Sequence, residues 1–99
     1  MAVLAWTEHA SLTLHACLEY VAIDNPAAAS KLGLNIYQKV QLLSSFPYMG
    51  QVFLEKEEVS IRALHYGSYR ILYEVTADES TVNILGVFHT AMHPDNYKL

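Results

Sequence analysis

Apolar residues recur along this chain with two different periods. Ala10, Leu14, Cys17, Leu18 and Val21 follow one another at steps of four, three, one and three, and Ala29, Leu32, Ile36, Val40 and Leu43 repeat the rhythm. Each set makes one stripe on an amphipathic helix. Thr7 is placed to cap the first helix, with Glu8 in its first turn where a carboxylate complements the helix dipole. Asp24-Asn25-Pro26 ends that helix and starts the next, since Asn caps well and Pro suits the first helical position. The second helix stops at Ser44-Ser45-Phe46-Pro47. So short a connection forces the two helices antiparallel, and their common apolar stripe needs a surface to lie on.

Strand-like patterning supplies that surface. Val3–Trp6 reads as a short first strand, and Ile61 to Val75 as two strands rich in aromatic and β-branched residues flanking Gly67-Ser68. Glycine at the first central position predicts a type II′ hairpin, which pairs Tyr66 with Tyr69, His65 with Arg70, Leu64 with Ile71 and Arg62 with Tyr73. One face then carries Leu64, Tyr69, Ile71, Tyr73 and Val75 as a core face, and the other sets His65 beside Arg70. Val82 to His89 reads as a further strand, its Ile84–Phe88 centre apolar on both faces and so placed inside the sheet. Residues 46–58 read as a loop ending in the charged run Glu55-Lys56-Glu57-Glu58, and Met92 to Leu99 as a polar tail that either lies over a sheet edge or is mobile. The order expected is strand, helix, helix and three strands. This is an α+β fold in which an antiparallel-rich sheet carries a helical hairpin on one face and displays side chains on the other.

Composition narrows the classes. A chain of 99 residues with 53% hydrophobic and 16% charged residues has the make-up of one globular domain, residues 1–99. Its formal net charge of −4 lacks the basic excess of a dedicated nucleic-acid binder, so no direct DNA binding by the chain alone is expected. The one cysteine, Cys17, lies on a helix stripe as a packing residue, and it fits a reducing compartment. With no basic start to the N-terminus and no long apolar segment, the expected location is cytoplasmic, away from membrane.

Few residues are candidates for chemistry. His65, Arg70 and His89 lie on strands and Arg62 lies in the first arm of the hairpin. Arg and His together could hold a phosphate, the one stabilising charge and the other exchanging a proton, although strand Arg and His are more often ordinary surface residues. His89 and His93 are four apart, but Pro94 breaks a helix there and no third ligand lies near, so neither metal nor cofactor is expected.

A set of local features taken together resembles one family. They are Trp6-Thr7 entering the first helix, Asn25-Pro26-Ala27-Ala28-Ala29 at the helical turn, and Phe46-Pro47 with Gly50 after the second helix. Arg62, Gly67-Ser68-Tyr69-Arg70-Ile71-Leu72-Tyr73 and Ile84-Leu85-Gly86-Val87-Phe88-His89 complete the series over almost the whole chain. In this order they resemble the RelE/ParE superfamily of bacterial toxins from type II toxin–antitoxin modules. The resemblance implies a toxin held inactive by a cognate antitoxin, ParD-like and made from a neighbouring gene. RelE-like members cleave mRNA on the ribosome without metal, through a strand Arg with His or Arg, and often Tyr, near the C-terminus; Arg70 and His89 match that set. ParE-like members share the fold but poison DNA gyrase. Thr90 stands where some RNases carry Tyr, and Met92 where many ParE-like chains carry Arg. The acidic balance and the Asn-Pro-Ala turn favour the ParE-like branch, which makes Arg62, Arg70, His65, His89 and the tail the expected contact with gyrase. An mRNA endonuclease, or a non-toxic member that only binds its antitoxin, are the alternatives.

Overall fold

The computed structural model describes all of residues 1–99. The chain runs β1 (Val3–Trp6), α1 (Glu8–Asp24), α2 (Pro26–Gln41), a short 3-10 turn at Leu42–Ser44, then β2 (Gln51–Lys56), β3 (Val59–Tyr66), β4 (Tyr69–Val75) and β5 (Thr81–His89). The sheet has five strands in the order β1-β5-β4-β3-β2, with β1 parallel to β5 and every other pair antiparallel.

The expected α+β architecture is present, with caps where the sequence put them. Thr7 accepts a hydrogen bond from Ala10 N–H at 3.0 Å, and the Asn25 side chain accepts one from Ala28 N–H at 3.0 Å. The helices lay Ala10, Ile36 and Val40 onto Leu64, Ile71, Tyr73, Val82, Ile84 and Val87, which form the main core. Full burial of side chains such as Ile36 and Ile71 contributes roughly 1.5–3 kcal/mol each. The central hairpin has the expected register, Tyr66 to Tyr69 through Arg62 to Tyr73. Its turn has a positive φ, 55°, at Gly67 and not at Ser68, as a type II′ turn requires.

Three expectations need correcting. Residues 51–56, read as part of a loop, form strand β2 on the sheet edge, so four strands rather than three follow the helices. The β2–β3 hairpin turns on Glu57-Glu58, with Glu57 at φ 53°, a left-handed conformation in which Gly, Asn or Asp would be expected. The face away from the helices does more than display side chains. It holds a second apolar cluster of Ile61, Ala63, Leu72 and Phe88, with Phe53, Leu85 and Tyr97 packed on it. Finally, the tail crosses this face instead of an edge, since Tyr97 stacks on Phe88.

α1 also seals part of an edge. β1 pairs only with residues 81–84 of β5, and beyond them α1 lies alongside. Thr13 Oγ1 accepts from Val87 N–H at 3.0 Å, and the Cys17 thiol reaches Val87 C=O at 3.8 Å. Burial pushes the Cys17 thiol pKa up, the opposite of what a nucleophile needs.

The β4–β5 turn is held by Asp78, whose carboxylate accepts from Thr76 Oγ1 (2.8 Å), Ser80 N–H (3.0 Å) and Ser80 Oγ (2.8 Å). The Ser80 amide and hydroxyl, then Thr76, hold its pKa at about 2 against an ordinary 3.8. A depressed carboxyl pKa stabilises the folded turn above its unfolded value and loses that contribution as pH falls through the folded one. Protection of the Ser80 amide, the intrinsic exchange rate over the observed rate at each pH, should therefore fall between pH 3.8 and about 2. In Asp78→Asn that fall in protection should vanish; an identical protection profile in both proteins would refute the assignment.

Candidate functional site

The helix-free face is organised around Arg70. On β4, residues alternate between faces, so Tyr69, Ile71 and Tyr73 enter the main core while Arg70 and Leu72 face the other way. His65 is directly opposite Arg70 on β3 and exposed, which preserves the expected Arg–His pairing. Arg70 donates to the Tyr97 hydroxyl at 3.1 Å and lies 5.9 Å from the Phe53 ring centroid. Tyr97 is stacked on Phe88 at 4.2 Å and 8°, and on Phe53 at 5.9 Å and 17°. No carboxylate pairs with Arg70, so its positive charge is uncompensated within a frame of aromatic rings. Such a site suits binding of planar or anionic groups. Tyr97 and Phe53 were absent from the expected set; an aromatic ring isolated in a polar tail was the only signal for the first.

His89 is not part of this face. β5 carries a bulge, in which Tyr73 pairs with Ile84 and Leu72 with Gly86, leaving Leu85 extra. One added residue inverts the facing of everything after it. Phe88 thereby lands opposite Arg70, and His89 lands opposite Tyr69, on the helix side. The His89 ring meets Tyr69 edge-on at 5.2 Å, and its Nδ1 accepts from Ala91 N–H at 2.9 Å. Both groups line an open apolar groove of about 520 Å³ between α1 and the end of β5, together with Cys17, Tyr20, Val87 and Met92. His93 likewise accepts from the backbone, from Asp95 N–H at 3.1 Å.

Arg62 has a third location. It shares a face with Tyr73, three register positions along the hairpin from the His65–Arg70 pair and on the opposite face from Arg70, and donates to Gly50 C=O at 2.7 Å and Tyr48 C=O at 3.3 Å. Its guanidinium also lies 5.0 Å from the Tyr48 ring centroid. It holds the loop before β2 through those carbonyls. Gly50 is gripped from both sides, since its N–H donates to the Tyr73 hydroxyl at 2.9 Å. Burial pushes the Tyr73 phenol pKa up, so the hydroxyl stays protonated near neutrality. Of the four expected contact residues, the fold thus brings together Arg70 and His65, and sets His89 and Arg62 in separate places.

Comparison with known proteins gives the class. The description "ParE toxin of type II toxin-antitoxin system, parDE" fits residues 4–94. The chain belongs to this family, within the ParE/RelE superfamily of type II toxins. Among solved structures it is similar to a chain of the RelBE2 toxin–antitoxin complex from Mycobacterium tuberculosis. There the TM-score is 0.60 at 25% identity, over 89% of this chain and 96% of that one. It is also similar in fold to a chain of the chromosomal ParDE system from P. aeruginosa, with a TM-score of 0.71 at 23% identity, over 90% and 96%. No curated protein matches. No helix is long and apolar enough to cross a membrane.

Proposed function

We propose that this toxin inhibits DNA gyrase through the Arg70 face and is neutralised by a ParD-like antitoxin encoded beside it. The observation that carries the reading is the bulge in β5. It turns His89 away from Arg70, so the two residues that match the RNase set lie on opposite faces of the sheet. What is left around Arg70 is an aromatic frame with an unpaired cation, suited to a protein surface, where Arg and Tyr often dominate the energy. The groove between α1 and β5, with Tyr20 and Met92 exposed on it, offers the antitoxin an apolar seat for a helix. His89 belongs to that seat, and Arg62 serves the fold near the loop it holds.

One contact favours the second reading, an mRNA endonuclease. Tyr97 stands 3.1 Å from Arg70 and supplies the tyrosine that Thr90 does not. Supercoiling assays separate the two. Purified chain in molar excess over gyrase should block supercoiling and leave cleaved DNA. Normal supercoiling beside growth arrest in cells, with cuts inside codons by primer extension that vanish in Arg70→Ala, would replace gyrase with mRNA.

A further inference from the structure

The segment from His93 to Leu99 covers the Arg70 face with little holding it there. Its backbone hydrogen bonds are local: Asn96 N–H to His93 C=O and Tyr97 N–H to Pro94 C=O. The last backbone tethers to the sheet are Thr90 N–H to the Ser68 C=O of the hairpin turn and Met92 N–H to His89 C=O. Beyond that point the anchors are the Tyr97 ring and hydroxyl, with Leu99 reaching toward Gly86. Around Tyr97, residues 93–96, 98 and 99 are exposed.

The floor beneath is built to receive a ring. At Gly86 a Cβ would stand 2.6 Å from the Phe88 ring, so glycine there lets Phe88 lie down against the strand. Ile61, Ala63 and Leu72 complete an apolar bed. We propose that residues 93–99 are a self-occluding strap, in which Tyr97 fills a docking surface whose partner is a protein segment presenting an aromatic ring beside a carboxylate. The ring takes the place of Tyr97 on Phe88. The carboxylate takes Arg70, which at rest donates to the Tyr97 hydroxyl and gains an ion-paired, bidentate partner on exchange. Two aromatic stacks, on Phe88 and Phe53, and one hydrogen bond favour the closed form by only about tenfold to a thousandfold. A partner meeting the closed chain loses apparent affinity by that factor. The strap stands on geometry alone, whereas its link to a target rests on the function proposed above.

The dye 8-anilinonaphthalene-1-sulfonate is a suitable probe, since it joins fused rings to an anion. Tyr97→Ala in the full chain should bind it about tenfold more tightly than the wild type, with far-UV CD unchanged and the new contacts mapping by NMR to Phe53 and Phe88. Tyr97→Phe, which keeps the stack, should fall between the two. Adding Arg70→Ala to Tyr97→Ala should remove most of the gain. An unchanged affinity in folded Tyr97→Ala would overturn the strap, as would a gain accompanied by loss of secondary structure. A gain that survives loss of Arg70 would overturn the carboxylate partner. A chain that passes these tests but leaves gyrase untouched keeps its strap and loses the gyrase assignment.

Discussion

Gly50→Ala should lower stability by roughly 3 kcal/mol, the upper part of the range for overpacking a well-packed site. For a chain of this size that is a melting midpoint lower by roughly 10–20 °C. The expectation is steric, since Gly50 has no positive φ to defend. A Cβ there would stand 2.7 Å from the Tyr73 hydroxyl, 2.8 Å from Tyr73 Cε1 and 2.8 Å from the Ala63 carbonyl oxygen. None of these can yield cheaply. Tyr73 is fully buried, and Ala63 O belongs to the β3 backbone. Relief by moving the loop breaks the bonds from Gly50 to Tyr73 and from Arg62 to Gly50. Tyr73→Phe gives the milder comparison, because it only leaves one buried N–H without a partner, at a cost of about 1–3 kcal/mol. Thermal and urea unfolding of the two variants measures both. A Gly50→Ala midpoint within a degree or two of the wild type would show that the loop yields freely and that the grip is not structural.

Some parts of the fold are legible in the sequence and others are not, for identifiable physical reasons. The central hairpin could be read because Gly67 fixes the turn and the flanking residues alternate, so turn and face agree. The helices could be read because their stripes and caps are both present. Strand β2 was hidden: Val52 and Leu54 are exposed, its run is short, and its turn rests on Glu57 in a left-handed conformation without Gly or Asn to mark it. An edge strand ending in Lys56 has this look, since charge on an edge discourages further pairing. The bulge at Leu85 was hidden for a different reason. Ile84 to Phe88 is apolar on both faces, so shifting the phase by one leaves the pattern as good as before. That one extra residue is what moved His89 off the Arg70 face. Gly86 within the strand was the available hint, because glycine there marks a bulge or a close approach, and here it accompanies both. Tyr97 was beyond reach from periodicity, since it sits outside every regular element and finds its place through long-range stacking.

Arg70→Ala and Arg62→Ala should fail in opposite ways, and the contrast tests the assignment of the site. Arg70 is half-buried, has no ion pair, and its one protein hydrogen bond goes to a tail tyrosine. Its removal should leave the melting midpoint nearly unchanged. If it anchors the target, gyrase inhibition should weaken by about thirtyfold or more, the loss of a central interface arginine worth 2 kcal/mol or above. Arg62 lies on the other face of the sheet, with its bonds spent on Tyr48 and Gly50 carbonyls and its charge over the Tyr48 ring. Its removal should cost about 1–3 kcal/mol of stability through those bonds and the lost cation–π contact. Inhibition should be unchanged once matched to the concentration of folded protein. Lys replacements sharpen the test, because a lysine keeps the charge but not the planar fork. Arg70→Lys should recover only part of the inhibition if the guanidinium stacks and forks against its target, and all of it if charge alone steers the encounter. An Arg62→Ala protein that is fully stable yet inactive would move the contact to the loop before β2, and with it the whole target surface to the other side of the sheet.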